Sequence, residues 1–168
     1  TMLTNKIAVV TGGAKGIGKA TVDLFTKRGA TAIAGDMIFE KGPLKENEGG
    51  WEKYLNIADQ ECVNDFFKEV HEKFGRIDIL VNNAGIVRNL TPFEEVTREN
   101  WDKVMNVNFY GTIYCCNAVI PYMKAQKYGK IINSSSLAGE VGGIRVEASY
   151  SASKAGNICN TFALAKYL

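Results

Sequence analysis

The sequence predicts an α/β fold, a doubly wound parallel sheet of about five strands with helices on both faces. Two observations predict it. Short apolar runs ending in glycine or a polar turn alternate with stretches whose apolar residues recur at helical spacing, in the order β-α-β-β-α-β-α-β-α. A glycine-rich turn, Thr11-Gly12-Gly13-Ala14-Lys15-Gly16-Ile17-Gly18, joins the first apolar run to the first helical stripe, as in dinucleotide-binding folds of the Rossmann type.

Each element follows from its own pattern. Lys6–Thr11 reads as a buried strand. In Gly16–Arg28, residues Ile17, Ala20, Thr21, Leu24 and Phe25 lie on one helical face, and Gly29 stops the helix. Thr31–Asp36 is the second strand and Trp51–Asn56 the third, while the polar segment Met37–Gly50 between them reads as a flexible loop. Asp59 caps a helix carrying Val63, Phe66, Phe67, Val70 and Phe74 and ended by Gly75. Ile77–Asn82 is the fourth strand, with Asp78 expected to pair with nearby backbone. A long helix starts at Thr97, with Pro121 expected to kink or interrupt it. Lys130–Ser134 is the fifth strand, and a last helix runs from about Ser149 to the end.

The chain has 168 residues, 46% hydrophobic and 23% charged, which suits one dinucleotide-binding domain over 1–168. A net charge of +2 argues against a nucleic-acid partner. No apolar stretch reaches the length of a membrane span, and the start lacks the apolar core of a signal peptide. Thr1 ahead of Met2 reads as a cloning remnant. Cys62, Cys115, Cys116 and Cys159 form no C-x-x-C pair, and with His71 alone they make no metal set. Isolated packing thiols, a solvated His71 and a cytoplasmic setting are expected.

Gly12, Lys15, Gly16, Ile17 and Gly18 are the candidate pyrophosphate contacts, because glycines allow close backbone approach and the helix start supplies N–H donors. Asp36 ends the second strand and can accept both hydroxyls of an adenine ribose, and its charge would repel a 2′-phosphate. Lys15 pulls the other way. The balance predicts NAD(H), with NADP(H) as the alternative.

Two further spacings carry chemistry. Tyr150 and Lys154 lie four residues apart, on one face of the last helix. Asn82-Asn83-Ala84-Gly85 ends the fourth strand. With the glycine turn, Asn106-Val107-Asn108 and Ser134-Ser135-Ser136, these motifs stand in the order found in the short-chain dehydrogenase/reductase family, which the chain resembles from Lys6 to Leu168. The general look is similar to 3-oxoacyl-carrier-protein reductases and to sugar-alcohol or secondary-alcohol dehydrogenases.

The resemblance implies an oxidoreductase moving a hydride between a nicotinamide cofactor and a small carbonyl or secondary-alcohol substrate. It implies Tyr150 as the general acid/base and Lys154 as the residue that holds the nicotinamide ribose. Ser136 matches the serine that hydrogen-bonds the substrate oxygen, with Ser135 the alternative. Asn108 matches a water anchor in the proton relay. Asn83, Ala84 and Gly85 match the wall beside the adenosine ribose. Asn56 stands where the family often has an aspartate, so adenine recognition would lean on the Ile57 backbone. Arg88 either meets an anionic substrate group or is a solvated loop residue. Elementary electrostatics agrees with the tyrosine's role. A lysine charge ~5 Å away at an effective dielectric of ~20 is worth about 3 kcal/mol, or roughly 2 pKa units, which brings a phenol toward the catalytic range.

The resemblance also implies further strands, a substrate lid and a Pro-Gly turn beyond Leu168. The chain is therefore expected to be a fragment of a longer enzyme, or to have a partner chain over the open edge of its fifth strand. A catalytically inactive dinucleotide-binding module is the alternative function. The helices at 97–127 and 149–168 resemble those the family packs against a twofold mate, which implies a homodimer or homotetramer.

Overall fold

A computed structural model describes residues 2–168. Thr1 lies outside the described residues. Six strands form one sheet in the order β3-β4-β2-β1-β5-β6. They are β1 Ile7–Thr11, β2 Thr31–Asp36, β3 Lys45–Asn47, β4 Gly50–Tyr54, β5 Ile79–Asn82 and β6 Lys130–Asn133. All pairings are parallel except β3 with β4. The helices are α1 Gly16–Lys27, α2 Gln60–Phe74, α3 Arg98–Met105, α4 Gly111–Gln126, α5 Ala138–Val141 and α6 Ala148–Tyr167. The predicted fold class holds, with one strand more than the sequence suggested.

Side-chain alternation splits the core into two layers. Ile7, Val9, Ile33 and Leu80 point to one face, where Phe66, Phe67 and Val70 of α2 and Cys115, Val119 and Met123 of α4 cover them. Ala8, Val10, Ala32, Ala34, Ile79 and Val81 point to the other, packed with Val22 and Phe25 of α1. The alanines there let α1 approach closely, whereas the α2 face is filled by large side chains. Asp59 caps α2 as expected, its Oδ1 accepting from the Glu61 and Cys62 amides at 3.0 and 3.1 Å. Gly75 ends the helix with φ 74°. Asp78 is buried and accepts from the Ile7 amide at 2.9 Å, which ties the start of β1 to β5.

Four expectations need correction. The buried face of α1 is not the predicted one: Ile17, Ala20 and Leu24 are exposed, and Gly18 and Val22 are buried instead. The segment Met37–Gly50 is not featureless. Lys45–Asn47 forms an antiparallel edge strand, and Glu69 on α2 holds the segment before it by accepting from the Leu44 amide at 2.6 Å. Lys53 joins Glu69 at 2.8 Å and donates to the Gly42 carbonyl at 2.6 Å. Pro121 does not interrupt α4. Pro121 and Asn117 are both exposed, so the carbonyl left without an N–H partner is open to water. The irregularity falls earlier, in a π turn at Asn106–Tyr110 that joins α3 to α4. His71 is not simply solvated: its ring stacks on Tyr122, centroids 4.1 Å apart.

The chain crosses from β4 to β5 through α2, passing over β2 and β1. The strand order therefore reverses between β1 and β5, and the crevice outside their carboxyl ends is where such sheets bind ligands.

Candidate active site

Thr11, the last residue of β1, joins the two walls of that crevice. Its hydroxyl oxygen accepts from the Asn83 amide at 3.1 Å and the Ala84 amide at 3.0 Å. The Asn83 side-chain amide returns bonds to the Thr11 and Gly12 carbonyls at 3.2 and 3.3 Å. Gly12 has φ 66°, and a Cβ there would lie 2.9 Å from Ala84 Cα. The glycine turn and the Asn82–Gly85 loop thus pack with no room for a side chain between them.

Gly16 differs. Its φ is 58° and a Cβ would meet nothing within 4 Å, so the turn presents bare backbone to an open space at the start of α1. Helix α1 has no acidic residue in its first turn and no side-chain cap at Lys15. The N–H groups there are left to an outside acceptor, an arrangement that fits a dinucleotide pyrophosphate. Lys15 is exposed, and Ile17 is 77% exposed over the same opening.

Asp36 ends β2, half-buried, and is fixed by accepting from the Ala14 amide through Oδ2 and the Ile38 amide through Oδ1, both at 3.2 Å. Each oxygen keeps a lone pair for a hydroxyl donor. Asn56 does not face outward freely. Its Oδ1 accepts from the Ala58 amide at 3.1 Å, and its own amide donates to Cys62 Sγ at 3.4 Å. Ile57 is buried against Gly111.

The second half of the site converges on Lys154, which is 6% exposed. Its Nζ donates to the Ser134 carbonyl at 3.0 Å and lies 5.8 Å from the centroid of the Tyr150 ring. A Cβ on Gly85 would be 3.6 Å from the same Nζ. Burial pushes the Lys154 pKa down from the ordinary ammonium value. The serine run is anchored by Ser135, whose hydroxyl donates to the Lys154 carbonyl at 2.9 Å. That spends Ser135 on fixing the loop to α6. Ser136 is half-buried, and its oxygen accepts from the Ala138 amide at 3.2 Å, which leaves its own proton to donate.

Asn108 lies fully buried in the π turn. Its Oδ1 accepts from the Ile86 amide and its Nδ2 donates to the Ile86 carbonyl, both at 2.8 Å, and Nδ2 also donates to Ser153 Oγ at 3.1 Å. Its backbone carbonyl accepts from Thr112 Oγ1 at 3.0 Å and Asn157 Nδ2 at 2.9 Å, which fills both lone pairs. Arg88 is paired rather than free, with Nε 3.6 Å from the buried Glu147 carboxylate. Thr11, Asn157 and Glu147 were not picked out from the sequence. Thr11 stood inside the glycine motif, and the other two gave no signal beyond being polar residues on or beside the Tyr150 helix.

The profile of the short chain dehydrogenase family matches residues 6–168. The chain is 43% identical over 172 residues to a 3-oxoacyl-[acyl-carrier-protein] reductase of Thermotoga maritima, covering 99% of this chain and 69% of that protein. It is 37% identical over 181 residues to a 3-oxoacyl-[acyl-carrier-protein] reductase of Synechocystis, covering 100% and 70%. It is 36% identical over 169 residues to the (2S)-[(R)-hydroxy(phenyl)methyl]succinyl-CoA dehydrogenase subunit BbsD of Thauera aromatica, covering 97% and 67%. The chain belongs to the short-chain dehydrogenase family of nicotinamide-dependent oxidoreductases.

Proposed function

We propose that the chain forms the cofactor site and the proton-transfer site of an oxidoreductase that interconverts a carbonyl and a secondary alcohol, with a 3-oxoacyl thioester as substrate class. The observation that carries this reading is the convergence on Lys154 of three segments: Gly85 after β5, the Ser134 carbonyl after β6, and Tyr150 one helical turn away. The acyl thioester is suggested by the names of the relatives from Thermotoga maritima, Synechocystis and Thauera aromatica.

When bound, the dinucleotide supplies or accepts the hydride. The backbone of Gly12–Gly18 holds the pyrophosphate at the start of α1, and Asp36 takes the adenine ribose. That carboxylate favours NAD(H), since a 2′-phosphate would meet its charge. Tyr150 donates its phenolic proton to the substrate oxygen during reduction, and Ser136 donates a hydrogen bond to the same oxygen as charge develops there. Lys154, kept at the Ser134 carbonyl, places a cation beside the Tyr150 ring and would hold the nicotinamide ribose. Asn108 fixes Ile86 and Ser153 and would anchor a water in the proton relay.

The test is a parallel fluorescence titration of NADH and NADPH, followed by NADH oxidation with a 3-oxoacyl thioester. We expect tighter NADH binding, lost selectivity in Asp36→Asn, and turnover about 100-fold lower or worse in Tyr150→Phe. Undiminished turnover in Tyr150→Phe would overturn the proton-transfer role. Cofactor binding without turnover would assign a dinucleotide-binding module alone.

Among the described residues, no helix is long and apolar enough to cross a membrane. We further propose a homo-oligomer built through α4 and α6. Tyr110, at the end of the π turn just before α4, and Phe162 and Tyr167 on α6 are 46%, 65% and 70% exposed. Light scattering at micromolar concentration should give at least twice the chain mass, and a strict monomer would reject it.

A further inference from the structure

We propose that Glu147 is a positioning residue for Tyr150, acting through Arg88; this rests on the reading of Tyr150 as the proton-transfer group. Glu147 is fully buried, which is unusual for a carboxylate, and it is the N-cap residue of α6, three positions before Tyr150. Its Oε1 accepts from the Ser149 hydroxyl at 2.6 Å. Its Oε2 accepts from Asn100 Nδ2 on α3 at 3.3 Å and faces Arg88 Nε at 3.6 Å. Arg88 Nε is itself buried and makes no hydrogen bond, so this carboxylate is its electrostatic partner.

The backbone repeats the connection. The Glu147 amide donates to the Arg88 carbonyl at 3.2 Å, and Asn89 and Val146 form an antiparallel bridge beside it. The Glu147 carbonyl in turn accepts from the Tyr150 amide at 3.0 Å. The loop carrying Gly85, helix α3 and the first turn of α6 therefore meet on one residue.

Two fixed points set where the Tyr150 turn lies against that loop. Asn108 ties Ile86 to Ser153 on the inner side. Glu147 ties Arg88 to the helix start on the outer side. Desolvation of the fully buried carboxylate offsets its attraction to Arg88, whose side chain is 37% exposed; the directional bonds that Glu147 makes to Ser149 and Asn100 are what an apolar residue would not reproduce. Neutralising Glu147 alone leaves the Arg88 charge without its partner, whereas neutralising both removes that penalty but also the orientation.

This gives a test that separates positioning from support. In Glu147→Gln, the melting temperature and the turnover number should both fall, turnover by about tenfold, with the NADH dissociation constant within about threefold of the parent. Adding Arg88→Met should restore the melting temperature while turnover stays depressed. Recovery of turnover together with the melting temperature, or undiminished turnover in Glu147→Gln, would overturn the proposal. An independent readout is the ring resonance of Tyr150 in tyrosine-labelled protein, assigned by its loss in Tyr150→Phe. It should shift in the double variant even where the melting temperature is restored, and an unchanged signal would overturn the proposal. If the parent chain shows no turnover, the functional reading fails and the Tyr150 resonance alone decides whether Glu147 positions that ring.

Discussion

Two glycines of one turn separate fold from function at the level of single atoms. A methyl group on Gly18 would collide with the Gly12 carbonyl, whereas one on Gly16 would enter open space. Gly16→Ala should therefore cost only the strain of a positive φ, about 1–2 kcal/mol, and the protein should still fold. Its methyl would project into the space proposed for the pyrophosphate, so on that reading NADH affinity should fall at least about tenfold by titration. Gly18→Ala should instead lose its cooperative melt. Affinity unchanged in Gly16→Ala would place the phosphates elsewhere. The glycine spacing, Asp36 and the Tyr150–Lys154 pair were legible in the sequence because each depends on local geometry. Thr11 and Glu147 were not, because a hydroxyl that accepts from a loop 72 residues away and a carboxylate that is buried rather than solvated are defined only by their partners.

Among the elements, β2 and α2 followed their apolar patterns closely, and the glycine and aspartate end signals agreed, but α1 kept its bounds and not its face: Ile17 and Leu24 are exposed while Gly18 and Val22 are buried. The β3–β4 hairpin followed no such pattern. Lys45-Glu46-Asn47 is exposed at every position, so no alternation marks it as a strand. It is held by Gly50, whose φ of 133° suits no other residue and whose Cβ would lie 2.5 Å from the Ala32 carbonyl. The segment before β3 depends instead on Glu69. Its Leu44 and Lys53 partners outweigh the effect of burial and hold the Glu69 pKa below the usual carboxylate value. Glu69→Ala should cost about 1 kcal/mol or less, because the pair is partly solvated. It should nonetheless speed tryptic cleavage at Lys41 and Lys45 several-fold relative to the parent, as read by mass spectrometry. Unchanged cleavage would mean that the hairpin alone orders the segment.

For the whole molecule, Asp78 links folding to pH. Burial acts to raise its pKa, but Arg76, the Ile7 amide and Lys6 together hold it below the ordinary value. A carboxyl with a lower pKa in the folded state adds stability above its unfolded value near ~3.9 and loses it as pH falls through the folded value. Denaturant unfolding should therefore show Asp78→Asn well below the parent at pH 7, with the gap narrowing in acid below about pH 4. A gap independent of pH would remove Asp78 from the acid limb. The mostly parallel sheet with helices on both faces was foreshadowed by the order of the elements, whereas the order of the strands within it was not.

The π turn at Asn106–Tyr110 also bears on which lengths of chain the fold accepts. Removing one residue from it would yield a more regular helix, and by backbone energetics alone a better one. Yet each residue turns an α-helix by about 100°, so everything beyond the deletion would rotate by that angle relative to α3. Cys115, Val119 and Met123 would swing off the sheet. The extra residue is thus a phase correction between two stretches of helix facing different neighbours, and chain length here should resist change even where side-chain identity does not.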